Sequence, residues 1–167
     1  KNISTSIFLL ILVSISIIDI EYLVIPSTLN ISGIIFGLFF TILNSIFVGS
    51  SSYKPMIIDH FSAALLGLII FEFIRFLGKQ IFRKDALGKG DSILAACLGS
   101  WLGLEGLLLS SLLSIYLAGT FACIGIATKR IRVGNLIPFA PFMAFAGISI
   151  WIMGNGFWNK ILFYNLY

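Results

Sequence analysis

The sequence predicts an all-α fold, a polytopic membrane bundle of about six transmembrane helices. Of the 167 residues, 59% are hydrophobic and only 11% are charged, and the mean hydropathy is +1.06. A soluble domain carries about 25% charged residues, because its surface faces water. The apolar stretches are continuous rather than alternating. They therefore favour helices that satisfy their own backbone hydrogen bonds and argue against a membrane β-barrel.

Each span is predicted from a long uncharged stretch, since a hydrocarbon core of about 30 Å needs about 20 apolar residues per helix. We expect six spans, over residues 3–22, 28–48, 57–78, 91–104, 107–127 and 137–154. Pro26 should end the first helix near Val24, because proline disfavours helix in the residue before it. The fourth span is too short to cross as a straight helix, so its start should be recessed in protein. Residues 1–167 are predicted to form one membrane-embedded domain.

The formal net charge of +4 is better explained by membrane topology than by a nucleic-acid partner. Most basic residues lie on one predicted side of the bundle: Arg75, Lys79, Arg83, Lys84, Lys89, Lys129, Arg130 and Arg132. The opposite side holds Lys1, Lys54 and Lys160. Under the positive-inside rule, the basic side is cytoplasmic. We therefore expect a cytoplasmic (inner) membrane protein with both termini outside, and no nucleic-acid partner.

The two cysteines do not indicate a metal or redox site. Cys97 and Cys123 stand singly within apolar spans, without CxxC spacing and without a histidine nearby in sequence. Single cysteines in such spans are typical of small buried hydrophobic residues. We expect no metal and no cofactor.

Small residues recur at every fourth position in several spans, as in Gly33/Gly37, Ala63/Gly67, Ala95/Gly99/Gly103 and Ser114/Ala118/Ala122. Lipid gives helices no hydrophobic incentive to associate, so close backbone approach through small residues supplies the contact. The pattern predicts a compact bundle.

Carboxylates at membrane depth cost about 2.5–3.5 kcal/mol each, so each of the seven acids needs a reason. Glu72 should pair with Arg75, one helical turn away. The other structural or solvated assignments are Asp59 (beside His60) and Glu105 at the outer side, Asp85 among basic residues in a loop, and Glu21 facing the cytoplasmic surface. Asp19 and Asp91 remain, both at the inner ends of predicted helices.

Each of these two aspartates has an ordinary structural interpretation. Asp91 could be a helix N-cap, and Asp19 could lie at a helix end near the headgroups. Taken together, they lie at similar depth on one side of the bundle. Two carboxylates within a few ångströms cannot both ionise cheaply, so one can act as general base on water while the other holds a proton. Gly88 and Gly90 should then allow a tight turn and a substrate chain close to Asp91.

Four stretches carry a family resemblance in their order along the chain. Asp19–Pro26 reads Asp-x6-Pro after an apolar helix, and Gly88–Asp91 reads GxGD. Leu94–Gly103 is a Leu-, Gly- and Trp-containing helix directly after that motif, and Ile137–Phe142 reads Ile-Pro-Phe-Ala-Pro-Phe. GxGD alone arises often by chance, but the ordered set resembles the type IV prepilin peptidase family, the GxGD-type intramembrane aspartyl proteases.

The resemblance implies that Asp19 and Asp91 are catalytic and that Gly88, Gly90 and Pro26 support them. It implies an aspartic endopeptidase that cleaves the leader of type IV prepilins or type II secretion pseudopilins at the cytoplasmic face. Ile93 stands where many bacterial members carry Lys, so a charged contact of those members is absent. Larger members also have a cysteine-rich cytoplasmic domain associated with N-methylation. The chain shows no such segment, and we expect peptidase activity without methyl transfer.

An alternative interpretation is a small ion- or proton-coupled transporter in which the same intramembrane acids line a path. Transporters often contain paired repeats with helices broken at mid-membrane. The two halves of this chain show no such similarity, and Asp19 and Asp91 belong to the inner face rather than the midplane. A peptidase is therefore favoured.

Overall fold

The computed structural model describes residues 2–48, 53–82, 88–130 and 137–163, and these residues form helices and short connections without a strand. Six helices follow in order: α1 Asn2–Tyr22, α2 Ser27–Val48, α3 Tyr53–Phe82, α4 Lys89–Ala127, α5 Ala140–Met153 and α6 Asn155–Phe163. The predicted all-α class is confirmed. The predictions for Arg83, Lys84, Asp85, Arg132 and Lys1 fall outside the described residues.

Helices α1 to α4 are each long and apolar enough to cross a membrane, and α5 with α6, bent by 114°, could form a fifth span. The predicted fourth and fifth spans both lie within the 39 residues of α4. This helix contains a break at Gly103, whose φ of 71° and ψ of −175° are not helical. The protein is therefore a multi-pass membrane protein whose longest helix is divided in two.

The contacts on either side of Gly103 show that the chain reverses there. A Cβ built on Gly67 of α3 would lie 2.8 Å from the Ala95 carbonyl oxygen and 3.2 Å from Leu107 Cδ2. Residues from both halves of α4 thus pack against the same position of α3. Gly103 itself lies beside the Asp59 carboxylate, which accepts a hydrogen bond from the Leu104 N–H at 3.3 Å. The break lies two residues before the predicted boundary between the fourth and fifth spans, residues 105–106.

The connection between α1 and α2 is short and strained. Helix α1 ends at Tyr22, two residues before the predicted end at Val24, and Leu23 adopts a positive φ of 53°. Such a backbone is rare for a residue with a branched side chain. Pro26 directly precedes α2 and accepts a hydrogen bond from the Asn30 N–H at 3.3 Å. The connection therefore turns within four residues and carries Ile25 and Pro26 back towards the bundle.

The first half of α4 is the central element, and its small residues permit the predicted close packing. A Cβ on Gly99 would lie 2.6 Å from the Ala63 carbonyl carbon and oxygen. Trp101 is 3% exposed and donates a hydrogen bond from Nε1 to the Gly33 carbonyl at 2.9 Å. Its ring stacks on Phe8 of α1, with centroids 4.9 Å apart. Helices α1, α2 and α3 therefore all pack on residues 94–101.

The outer surface is apolar, as expected for a lipid-facing bundle. Leu10, Ile35, Phe61 and Ile124 are each more than 60% exposed. One cysteine prediction is confirmed and the other is wrong: Cys97 is buried and Cys123 is exposed. Cys123 follows the apolar pattern of its span, but it lies on the side of α4 that faces away from the other helices.

Candidate active site

Asp19 lies in the last turn of α1 and reaches the start of α5. Its side chain is only 5% exposed, and its Oδ2 accepts a hydrogen bond from the Ala140 N–H at 3.1 Å. Ala140 is the first residue of α5. The first N–H groups of a helix have no partner within it and carry partial positive charge, so this helix end stabilises a carboxylate at Asp19. Glu21, two residues later, is exposed, as expected.

Asp91 lies in the first turn of α4. The N-cap of this helix is Gly88, three residues before Asp91. The interpretation of Asp91 as the N-cap is therefore wrong. Its Oδ2 accepts a hydrogen bond from the Gly88 N–H at 2.9 Å. Asp91 is 6% exposed, and its Oδ1 is buried without a hydrogen-bond partner among the described residues. One oxygen is therefore held by the backbone, and the other can take part in chemistry.

The fold brings these two aspartates to one place. Asp19 is in the last turn of α1, and Ile25, six residues later, contacts Gly90, the residue before Asp91. Each aspartate offers its carboxylate to a backbone N–H at the start of a helix, α5 for Asp19 and α4 for Asp91. Both side chains are buried. Each carboxyl group therefore has one oxygen held by the backbone and lies out of contact with solvent.

Neither glycine of the GxGD motif forms an unusual turn, and Gly90 is required for space. Gly88 has an extended backbone with φ of −70° and ψ of 152°, and Gly90 lies inside α4. Among the described glycines, a positive φ occurs at Gly103 and Gly154. A Cβ on Gly90 would overlap the Ile25 side chain and lie 3.1 Å from its Cγ1. Because Gly90 has no Cβ, the segment next to Pro26 can contact α4.

We expect Gly90→Ala to lower the activity of this site by roughly 10- to 100-fold, because a displacement of about 1 Å at a reacting group can cost that much. The added methyl group pushes Ile25 and the first turn of α4 apart. The measurements are the rate of cleavage of a prepilin, the substrate that the sequence predicts, and the melting temperature in detergent. Gly119→Ala is the matched control on the same helix, since nothing lies within 4 Å of a Cβ there. Equal turnover in both variants would contradict this role of Gly90.

A polar network adjoins Asp91 on α3. The predicted ion pair forms, with Arg75 Nε donating to Glu72 Oε2 at 3.1 Å and a second contact through Glu72 Oε1. Glu72 Oε2 also accepts a hydrogen bond from the Ser92 hydroxyl at 3.1 Å. Ser92 is 2% exposed and follows Asp91 directly. Ser92 was not predicted as part of the site, because nothing in the sequence distinguishes it from the many other serines in these spans.

Asn30 is the other polar residue that the sequence analysis missed. It is fully buried, and its Nδ2 donates a hydrogen bond to the Gly90 carbonyl at 3.3 Å. The available signal was an amide within a predicted span, because polar side chains in membrane helices are costly.

The fold and this site define a multi-pass helical membrane protein with a buried aspartate pair at the junction of three helix ends. The model of the type IV leader peptidase family matches residues 6–126, which include Asp19, Pro26 and the whole GxGD motif. The chain belongs to the type IV leader peptidase family.

Curated relatives agree with this assignment. The chain is 29% identical over 144 residues to a prepilin leader peptidase/N-methyltransferase of Xanthomonas campestris pv. campestris, covering 86% of this chain and 47% of the relative. It is 32% identical over 146 residues to the protein of the same name from Aeromonas hydrophila, covering 87% and 47%. A type 4 prepilin-like proteins leader peptide-processing enzyme of Escherichia coli is 35% identical over 91 residues, covering 54% and 32%. The chain spans about half the length of the first two relatives and about a third of the Escherichia coli protein. No solved structure is significantly similar to it.

Proposed function

We propose that this protein is a membrane aspartic endopeptidase that removes the leader peptide of type IV prepilins or type II secretion pseudopilins. The observation that carries the proposal is the burial of Asp19 and Asp91 at one site, each with one oxygen held by a backbone N–H. Membership of the leader peptidase family supports the choice of substrate, because the relatives are named for cleaving prepilin leaders.

The mechanism uses the pair as base and acid in one step. One aspartate is ionised and takes a proton from a water molecule while the water oxygen attacks the scissile carbonyl carbon. The other, protonated, gives its proton to the carbonyl oxygen, which yields a neutral tetrahedral gem-diol. The gem-diol then gives one hydroxyl proton to the aspartate that is now ionised, while the aspartate that took the proton from water donates it to the leaving nitrogen, and the C–N bond breaks. Neither step forms a covalent bond between the enzyme and the peptide.

The proposed place of cleavage is the cytoplasmic membrane face, with both termini of the chain outside. Five basic residues lie at the end of the bundle that holds the aspartate pair: Arg75, Lys79, Lys89, Lys129 and Arg130. The positive-inside rule assigns that end to the cytoplasm. An open groove of about 590 Å³ along α3 is lined by Glu72, Arg75 and Lys79 together with four apolar residues. Glu72 is hydrogen-bonded to Ser92, the residue after Asp91, so the groove is the proposed path of the prepilin towards the aspartates.

The experiment is a cleavage assay with purified protein in liposomes and a prepilin from the same genome. Mass spectrometry of the products should identify a single cut at the end of the leader and would also detect methylation of the new N-terminus. Proton flux into the same liposomes is measured in parallel. Cleavage without flux agrees with the proposal. Flux without cleavage would overturn it in favour of the ion-coupled transporter.

A further inference from the structure

Asn30 joins the start of α4 to the connection between α1 and α2. Its side chain donates from Nδ2 to the Gly90 carbonyl at 3.3 Å, and its backbone N–H donates to the Pro26 carbonyl at 3.3 Å. Gly90 also contacts Ile25. The residue before Asp91 is therefore held from two directions, by a side chain of α2 and by the segment that leads into α2.

The orientation of the Asn30 amide is fixed by chemistry. The Gly90 carbonyl can only accept a hydrogen bond, so the amide nitrogen must face it. The amide oxygen, Oδ1, is then buried, and it has no hydrogen-bond partner among the described residues. The side chain as a whole is 0% exposed.

Asn30 is a poor choice for stability alone. A buried polar atom without a partner costs about 1–3 kcal/mol, whereas an apolar group of the same shape could be neutral or stabilising. Most residues of α2 are apolar, although Ser27, Thr28 and Ser32 near Asn30 are polar, and leucine at this position would fit the composition of the helix. The value of the amide must therefore come from what its donor holds.

We propose that Asn30 is a positioning residue of the aspartate pair, which acts by fixing the Gly90 carbonyl and hence the helical turn that directs Asp91. This inference rests on the proposed peptidase function. The backbone around Gly90 has no Cβ to restrict it, so the cross-helix hydrogen bond supplies restraint that the residue itself lacks. Asn30 does not contact the reacting atoms.

The test compares Asn30→Leu, which keeps the branched shape of the side chain and removes the donor, with Asn30→Gln, which keeps the donor on a longer side chain. Asn44→Leu is the matched control, since Asn44 is exposed on the same helix. We expect Asn30→Leu to lower kcat roughly 10- to 100-fold with KM within twofold of the wild type and a melting temperature no lower. Asn30→Gln should recover part of the lost kcat, and Asn44→Leu should behave as the wild type.

Amide hydrogen exchange of the peptide that covers residues 88–94 gives a second readout, independent of cleavage. Asn30→Leu should speed exchange there at least tenfold and leave the peptides of α5 unchanged. If the wild type does not cleave a prepilin, the proposed function fails, and exchange alone decides whether Asn30 restrains this turn. Wild-type exchange in Asn30→Leu would overturn the proposal. So would a wild-type kcat, or a loss of kcat that follows a lower melting temperature.

Discussion

Asp19→Asn and Asp91→Asn are each expected to lower prepilin cleavage by about 10³-fold or more, while membrane insertion and thermal stability stay close to the wild type. General acid–base groups contribute about 10²- to 10⁴-fold each, and an amide can neither take nor release the proton. The Asn Oδ1 can still accept the N–H of Ala140 or Gly88 that the aspartate accepts. The measurement is single-turnover cleavage by purified protein in liposomes.

Glu21→Gln is the control for this experiment, because Glu21 is exposed two residues from Asp19. It should cleave at the wild-type rate. The double variant Asp19→Asn/Asp91→Asn should be no slower than either single variant, since residues that act as a unit are strongly non-additive. Retained cleavage in one single variant would remove that aspartate from the mechanism. Additive losses would show that the two residues act separately.

Gly99→Ala is expected to have the largest effect on stability, lowering the free energy of unfolding by about 1–3 kcal/mol, the usual cost of overpacking. A Cβ there would lie 2.6 Å from the Ala63 carbonyl and 2.8 Å from the Ala64 backbone nitrogen. These are backbone atoms, so no side-chain rotation relieves the overlap and α3 must move away from α4. Unfolding of the purified protein in mixed micelles measures the change.

Gly119→Ala again provides the comparison. Its added methyl group meets open space, and alanine favours helix over glycine by roughly 0.5–1 kcal/mol. This variant should be as stable as the wild type or slightly more stable. If Gly99→Ala and Gly119→Ala have the same free energy of unfolding, α3 and α4 are not in close backbone contact in the membrane.

The fold class could be predicted because the membrane imposes a strong constraint on composition. Few charges and long apolar stretches leave helices as the only element that hides its own backbone. Small residues at every fourth position also predicted close packing, and the structure shows it between α3 and α4 at Gly67 and Gly99. Helix α6 was not predicted, because the nine residues Asn155–Phe163 are too short to give a membrane signal. The hydrogen bond from Asn155 Nδ2 to Glu105 Oε2, at 2.9 Å, depends on tertiary structure.

The candidate site was predicted only as a pair of acids at helix ends. Their positions follow from the chain, because Asp19 precedes a proline-containing turn and Asp91 follows a glycine-rich one. Their partners do not follow, since the Ala140 N–H that binds Asp19 lies 121 positions away. Likewise, the glycine at position 90 suggested conformational freedom, whereas its contact with Ile25 shows that the need is steric. Which atoms meet across helices is decided by packing, and local sequence does not record it.

The reversal at Gly103 has a consequence for how this protein enters the bilayer during synthesis. Residues 89–102 extend about 21 Å as a helix, well short of the roughly 30 Å hydrocarbon thickness. This segment is tolerated at that length because α2, α3 and α5 pack around most of it and little of it is exposed. It should therefore not partition into lipid alone at the translocon, but enter as a hairpin with residues 104–127. The aspartate pair can therefore form only after residues 104–127 have been synthesised and have entered the membrane together with this segment.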